Sequence, residues 1–341
     1  MRLWSLSDEQ ERAFADIRGV IESARTIAIC AHMNPDGDAL GSELALAAAI
    51  EQLWPDKEVA CLLADDVPCP RMYAFLEGSE RLMPAKEYGG SPDLFICVDL
   101  SKASRLGDAE SVLERSARSI VIDHHPGDDP FWDAGCVRTD AAAAGVLVAQ
   151  LADFLGAELT QKIAESLLVA IVTDTGRFQY QNADPEAFAV AGALVGAGAD
   201  PSLISNEVYQ SDRLAYLHLE SKVMGRIITF AGGRIAYSYA TDEDIESLGV
   251  ELSECEGLVD VVRRTRGAEI ALFLKEQGDG SVRGNLRAKG DADVSSVARE
   301  LGGGGHRAAA GFTIDGGIDD VLLSVLPKLR ALIAAETGEG A

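Results

Sequence analysis

Apolar residues recur along this chain with two different periods. Between residues 7 and 24, Phe14, Ile17, Val20 and Ile21 fall three and four positions apart, which predicts a helix with one buried stripe. Ser7 before it and Gln10 three residues on supply a capping box. The pattern then changes to short unbroken apolar runs at residues 26–31 (TIAICA), 59–63, 94–100 (LFICVDL) and 119–123 (SIVID). Runs of this length, separated by segments able to form helices, predict strands buried on both faces of a mostly parallel sheet. Alanine-rich helical stretches follow at 141–155 and 160–173, and residues 185–226 read as helical, punctuated by Gly196, Gly198 and Pro201. Beyond them, strand candidates at 234–240, 270–274 and 282–287 alternate with helix candidates at 252–264, 294–301 and 318–335.

The order of these elements predicts an α/β protein of two domains, in keeping with a length of 341 residues. The expected division is a larger domain over 1–190, a helical connector over 191–220 with the boundary near 215, and a smaller α/β domain over 221–336. The site is expected in a cleft between the two domains.

Composition narrows the partners. Hydrophobic residues make up 47% and charged residues 25%, the balance of a globular protein. A net charge of -25 argues against long duplex nucleic acid, whose capture rests on neutralising many phosphates. The acidity is uneven: residues 1–214 hold 16 lysines and arginines against 35 aspartates and glutamates, whereas residues 263–307 hold nine against six. The C-terminal part is therefore the better phosphate-facing surface. Six cysteines without a CxxC pair, several inside apolar runs, predict free thiols in a reducing compartment. No signal-like N-terminus and no apolar run near the roughly 18 residues of a membrane span is found, so the expectation is a cytoplasmic protein.

Chemistry-bearing residues fall at the C-terminal ends of the predicted strands, the edge where open α/β sheets bind ligands. The densest group is His32-Met33-Asn34-Pro35-Asp36-Gly37-Asp38, an imidazole and two carboxylates in one tight turn. An EF-hand is excluded, because the twelfth position counted from Asp36 is Ala47 rather than a bidentate glutamate. Taken alone, PDGD also fits a turn in which Asp38 caps the next helix, and Asp99 fits a turn or cap. Asp123-His124-His125 is harder to explain as structure, since two adjacent histidines and a carboxylate are costly to bury without partners. Asp174 supplies a fourth carboxylate site. Histidine and carboxylate ligands without cysteine suit manganese or magnesium, with cobalt, zinc or iron as alternatives. Two such ions sharing a carboxylate can activate a water and clamp the attacking and leaving oxygens of a phosphoryl group.

These motifs, HMNPDGDALGS, the aspartate of ICVDLS, DHH and the aspartate of VTDTG, resemble in order the four motifs of the DHH phosphoesterases. GGGGHRAAAG at 302–311 resembles the glycine-rich signature of the DHH-associated domain, first subtype. The resemblance spans nearly the whole chain. It implies a two-ion manganese centre with His32, Asp36 and Asp99 on one ion and Asp38, Asp99, His124 and Asp174 on the other, Asp99 bridging. It further implies that His125 faces the phosphate as charge stabiliser or proton donor and that Asp123 orients its neighbours. The glycine run reads as a phosphate or nucleotide cradle, because Gly303, Gly304 and Gly305 let backbone N–H groups approach closely beside His306 and Arg307. Arg287 and Lys289 are further substrate-binding candidates, against the alternative of a solvated strand end.

The implied activity is hydrolysis of short oligoribonucleotides to 5'-mononucleotides and dephosphorylation of 3'-phosphoadenosine 5'-phosphate (pAp), as in the nanoRNase/pAp phosphatase branch. A cyclic dinucleotide (c-di-AMP) phosphodiesterase is the alternative enzyme, and a non-catalytic nucleotide sensor the alternative of another class. Expected partners are short RNA, pAp or dinucleotides as substrates, no long duplex, no membrane, and a second copy of the chain in a homodimer.

Overall fold

The computed structural model describes residues 3–127 and 130–337. They form two compact units, one ending at Ser211 and the other beginning at Asp212.

The first unit runs α1 (Asp8–Ser23), β1 (Thr26–Cys30), α2 (Gly37–Leu53), β2 (Glu58–Leu63), β3 (Met83–Pro84), β4 (Leu94–Val98), α3 (Glu110–Glu114), β5 (Arg118–Asp123), β6 (Ala134–Val137), α4 (Ala144–Leu155), α5 (Gln161–Asp174), α6 (Pro185–Gly196) and α7 (Pro201–Tyr209). Its sheet is parallel throughout, in the order β3-β2-β1-β4-β5-β6. Both faces are covered, which is why the strands read as unbroken apolar runs. Ile27, Ile29, Ile96, Val98, Ile120 and Ile122 face the large core built with α1, α2, α4 and α5. The alternate residues Ala28, Cys30, Phe95, Cys97 and Val121 face a smaller core with Leu106, Ala109 and Val112.

Small residues bring α2 and α5 unusually close. A Cβ on Gly41 would lie 2.3 Å from the Ser166 carbonyl oxygen, and one on Gly37 would lie 2.4 Å from Thr173 Oγ1. Only glycine permits this approach, and it sets the start of α2 against the end of α5.

Residues 191–220, expected as a connector, are instead divided between the units. Val190, Leu194, Ile204 and Val208 on α6 and α7 belong to the first core, whereas α8 (Leu214–Gly225) places Leu219 and Val223 in a core of the second unit. Helical periodicity gave no sign of which core each apolar stripe would join.

The second unit continues β7 (Ile228–Phe230), β8 (Ile235–Ala240), α9 (Asp242–Leu248), α10 (Leu258–Arg263), β9 (Ile270–Glu276), β10 (Ser281–Ala288), α11 (Val294–Glu300), β11 (Gly304–Gly305), β12 (Ala309–Asp315) and α12 (Ile318–Thr337). Its mixed sheet has the order β11-β12-β10-β9-β8-β7, with only β8 and β9 parallel. The helix expected over 252–264 is a 3-10 segment, Leu252–Gly257, followed by the short α10.

Candidate metal centre

In the order 3-2-1-4-5-6 the connections leave in opposite directions from β1 and β4, and the crevice at the carboxyl ends of such strands is where open α/β sheets bind ligands. His32 follows β1, Asp99 follows β4, Asp123 ends β5, and His124 and His125 come next.

After β1 the chain turns sharply, with Asn34 left-handed at φ 53 and its N–H held by the Asp65 carboxylate at the end of β2. Asp36, not Asp38, caps α2: its Oδ1 accepts from Asp38 N and Ala39 N, both at 3.0 Å. Asp38 is thereby drawn inside, fully buried. Its carboxylate accepts from Ala144 N at 2.6 Å and Gly145 N at 2.8 Å, and from Ser42 Oγ at 3.2 Å. Those N–H groups are orphans of the first turn of α4, so a helix N-terminus pins Asp38 from across the core. The helix expected from residue 141 accordingly starts at Ala144, and Ala143 is extended.

Asp99 has a left-handed backbone at φ 57, a conformation that costs an aspartate about 1 kcal/mol and persists where its surroundings hold it. His32 Nε2 lies 3.2 Å from Asp99 Oδ2 and 3.9 Å from Asp36 Oδ1, while its Nδ1 meets the Met33 carbonyl at 2.8 Å. His124 repeats the arrangement: Nδ1 is 3.2 Å from the Ala141 carbonyl, and Nε2 lies 3.5 Å from Asp99 Oδ1, 3.6 Å from Asp38 Oδ2 and 3.8 Å from Asp174 Oδ2. A backbone carbonyl at Nδ1 selects the tautomer that leaves an Nε2 lone pair for a cation. Asp123 Oδ1 accepts from His124 N at 2.8 Å and meets His125 Nδ1 at 2.7 Å.

Three groups of side chains could each hold an ion: His32 with Asp36 and Asp99; Asp38 with His124 and Asp174; and Asp99 with His124 and His125. Within each, the ligand atoms lie within 4.8 Å of one another. The electrostatics are those of a cage short of positive charge. Burial raises the Asp38 carboxyl, and the Asp99 charge adds to this. Asp174 is pushed up to about 7, by burial first and, against the pull of His124, by the Asp99 and Asp36 charges. Burial opposes the charge on His124, but Asp99, Asp174 and Asp38 overcome it and raise the imidazole. Burial would raise Asp99 too, but His124 and His32 outweigh it and hold that carboxyl well below the carboxylate range. One further observation tests the fit: Asp99 Oδ1 is buried without a hydrogen-bond partner. An orphaned carboxylate oxygen inside a histidine and aspartate cage is what a metal ligand looks like in protein atoms alone.

Sequence reasoning passed over several supports. Asn182 Nδ2 donates to the Asp174 carboxylate at 3.2 Å and to the carbonyls of Ala142 and Asp174. Ser42 has a helical signal, lying four residues after Asp38. Asn182 and Asp65 have none, because loop geometry alone brings them in.

The remaining predicted residues lie in the second unit. Arg287 is half-buried on β10 between Ala271 and Ala309. Lys289 is exposed, with Nζ 3.1 Å from the Thr265 carbonyl. Gly304 and Gly305 form β11 against Gly311 and Ala310. A Cβ on Gly303 would sit 2.1 Å from the Gly311 oxygen, and Gly303 N donates to Ala298 O at 2.8 Å. The run is therefore an edge strand that needs glycine to reach β12, rather than an open cradle throughout. His306 and Arg307 are exposed in the turn that follows, with Arg307 bonded to the Asp291 carbonyl.

Residues 26–171 match the DHH family, N-terminal domain, and residues 232–337 match the DHHA1 domain. The bifunctional oligoribonuclease and PAP phosphatase NrnA of Thermus thermophilus is 30% identical over 323 residues, 94% of each chain. The chain belongs to the DHH family. Its NrnA relative in Bacillus subtilis is 29% identical, over 85% of this chain and 89% of that protein. The DHH fold is seen too in an exopolyphosphatase-related protein from Bacteroides fragilis, with TM-score 0.87 and 24% identity, covering 94% of this chain and 97% of that one. RecJ from Thermus thermophilus, in complex with Mn2+, has TM-score 0.53 at 16% identity, covering 98% of this chain and 55% of RecJ. Among the described residues, no single helix is long and apolar enough to cross a membrane.

Proposed function

We propose that this chain is a manganese-dependent phosphoesterase that releases 5'-mononucleotides from short oligoribonucleotides and dephosphorylates pAp. The observation that carries the reading is the convergence of His32, Asp36, Asp38, Asp99, His124 and Asp174 at the carboxyl edge of the sheet, with an unsatisfied Asp99 oxygen among them. The NrnA relatives, named for these two activities and aligned over most of the chain, support the substrate class.

His32, Asp36 and Asp99 would hold one ion, and Asp38, Asp99, His124 and Asp174 a second, with Asp99 common to both. Manganese is favoured because the donors are imidazole and carboxylate without thiolate, and RecJ, of the same fold, carries Mn2+. When bound, such a pair supplies an activated water and offsets charge on the phosphoryl oxygens. Asp123 fixes His125 through Nδ1, leaving Nε2 as the atom that stabilises the phosphoryl group or hands a proton to the leaving oxygen. In the second unit, Arg287, Lys289, Gly303, Gly304, Gly305, His306 and Arg307 are the proposed nucleotide-binding residues. The protein would act on soluble short substrates, and a homodimer is part of the same proposal.

The test is a parallel assay of pAp, linear pApA, a longer RNA and c-di-AMP with manganese, using wild type and Asp99→Ala. Fast release from pAp and pApA, with a loss of about a thousandfold in the variant, is expected. Preference for c-di-AMP, or equal rates on the long RNA, would overturn the substrate assignment. Nucleotide binding without turnover of any of the four would overturn the enzymatic one.

A further inference from the structure

The centre is crowded with negative charge: Asp36, Asp38, Asp99, Asp123 and Asp174 face it or support it, and Asp65 holds its first turn. A phosphate monoester or diester approaching it must be met by positive charge beyond that which neutralises the ligands themselves. Arg105 is such a charge within the first unit.

Arg105 lies on a 3-10 turn, Ala103–Arg105, six residues after Asp99. Its position is fixed by main chain: the Arg105 carbonyl accepts from Met33 N at 2.9 Å, and Arg105 N donates to Lys102 O at 3.0 Å. Met33 adjoins His32, so this turn is bolted to the loop that carries the first histidine. Gly107, left-handed at φ +50, tightens the packing, since a Cβ there would fall 2.7 Å from the Ala64 oxygen and 2.9 Å from Met33 Cγ. The Arg105 side chain is half-buried.

Several other arginines of the first unit are engaged. Arg81 pairs with Glu51, Arg118 with Asp133, and Arg138 with Glu186 and Asp140, while Arg115 is bonded to the carbonyls of Gly90, Tyr88 and Ser111. The Arg105 guanidinium pairs with no carboxylate among the described residues, in a chain with 55 acidic and 30 basic residues. A guanidinium brought to an anionic site by its backbone and left without a carboxylate is suited to a planar, bidentate oxyanion partner.

We propose that Arg105 binds the substrate's phosphoryl group on the His32 side of the centre, donating guanidinium N–H bonds to phosphate oxygens. The proposal rests on the phosphoesterase reading and adds to it a substrate-binding residue.

Arg105→Ala leaves the carbonyl that holds Met33 in place, so it removes the guanidinium without removing the anchor. Two measurements test it. In kinetics with pAp and pApA, Arg105→Ala is expected to lose about ten- to a hundredfold in kcat/KM, the scale of a charge-assisted hydrogen bond, with Arg105→Lys recovering part of the loss. In calorimetry on manganese-loaded protein, inorganic phosphate should bind Arg105→Ala more weakly than wild type by a similar factor, with manganese affinity and thermal midpoint unchanged. Wild-type rates and wild-type phosphate affinity in Arg105→Ala would overturn the proposal, as would a loss that merely follows a loss of manganese affinity. If the wild type turned over no phosphoester, the functional reading would fail by itself, and the phosphate titration would still decide what Arg105 does.

Discussion

Asp123 is a member of none of the groups that could hold an ion, yet it is fully buried and touches both histidines that follow it. Its Oδ1 accepts from His124 N and meets His125 Nδ1, while Oδ2 has no hydrogen-bond partner. A carboxylate used this way sets the orientation of an imidazole and the availability of its far nitrogen. Asp123→Asn keeps the shape and removes the charge that favours Nδ1–H. It is expected to lower kcat about ten- to a hundredfold with little change in KM for pAp, measured by steady-state kinetics at saturating manganese. An unchanged kcat would mean that His125 needs no orienting partner.

At the scale of elements, the centre depends on how closely two helices pack. Asp38 stands in the first turn of α2 and Asp174 ends α5, and these helices meet across Gly37 and Gly41. Gly41→Val would push a side chain into the Ser166 carbonyl, with Ala170 also in the way. The expected cost is about 1–3 kcal/mol in chemical denaturation, as for overpacked sites generally. A weaker manganese affinity should accompany it, because separating α2 from α5 separates two of the ligands. A loss of stability with unaltered manganese binding would show that the two ligand positions are held independently of this contact.

At the scale of the molecule, the two units have separate cores. In the second, Asp244 is buried at 4% exposure and is bound by Arg226 and Lys222, and it also takes part in the capping box of α9. Arg226 above all, then Lys222 and the Thr241 N–H, overcome burial and hold this carboxyl well below the usual range. A carboxylate depressed in the folded state contributes stability that is complete above its unfolded value, near 4. The contribution is lost as pH falls through the folded value. Asp244→Ala is therefore expected to destabilise the second unit by about 2 kcal/mol at neutral pH, the scale of charged hydrogen bonds. The difference from wild type should shrink as pH drops from about 5 towards about 2, followed by denaturant melts across that range. A difference independent of pH would assign the loss to packing rather than to charge.

Much of this protein could be read from its residues in order. Strands buried on both faces must be apolar at every position, so β1, β4 and β5 announced themselves, and polar residues at their ends stood out against them. That is why His32, Asp36, Asp38, Asp99, His124 and Asp174 stand out in the sequence as candidate ligands, and the fold brings them together. Contacts between distant segments were not legible. The helix whose first N–H groups bind the Asp38 carboxylate lies more than a hundred residues away, Asn182 meets Asp174 through a loop, and a glycine in α2 reveals its purpose only when α5 lies against it. The edge strand made by Gly304 and Gly305 was not legible either, because glycine carries no strand pattern of its own. Local order thus declares which side chains are available and roughly where each element begins. Which of them meet, how deeply each is buried and which lone pair is left without a partner depend on chain folding back at long range, where no single segment holds the information.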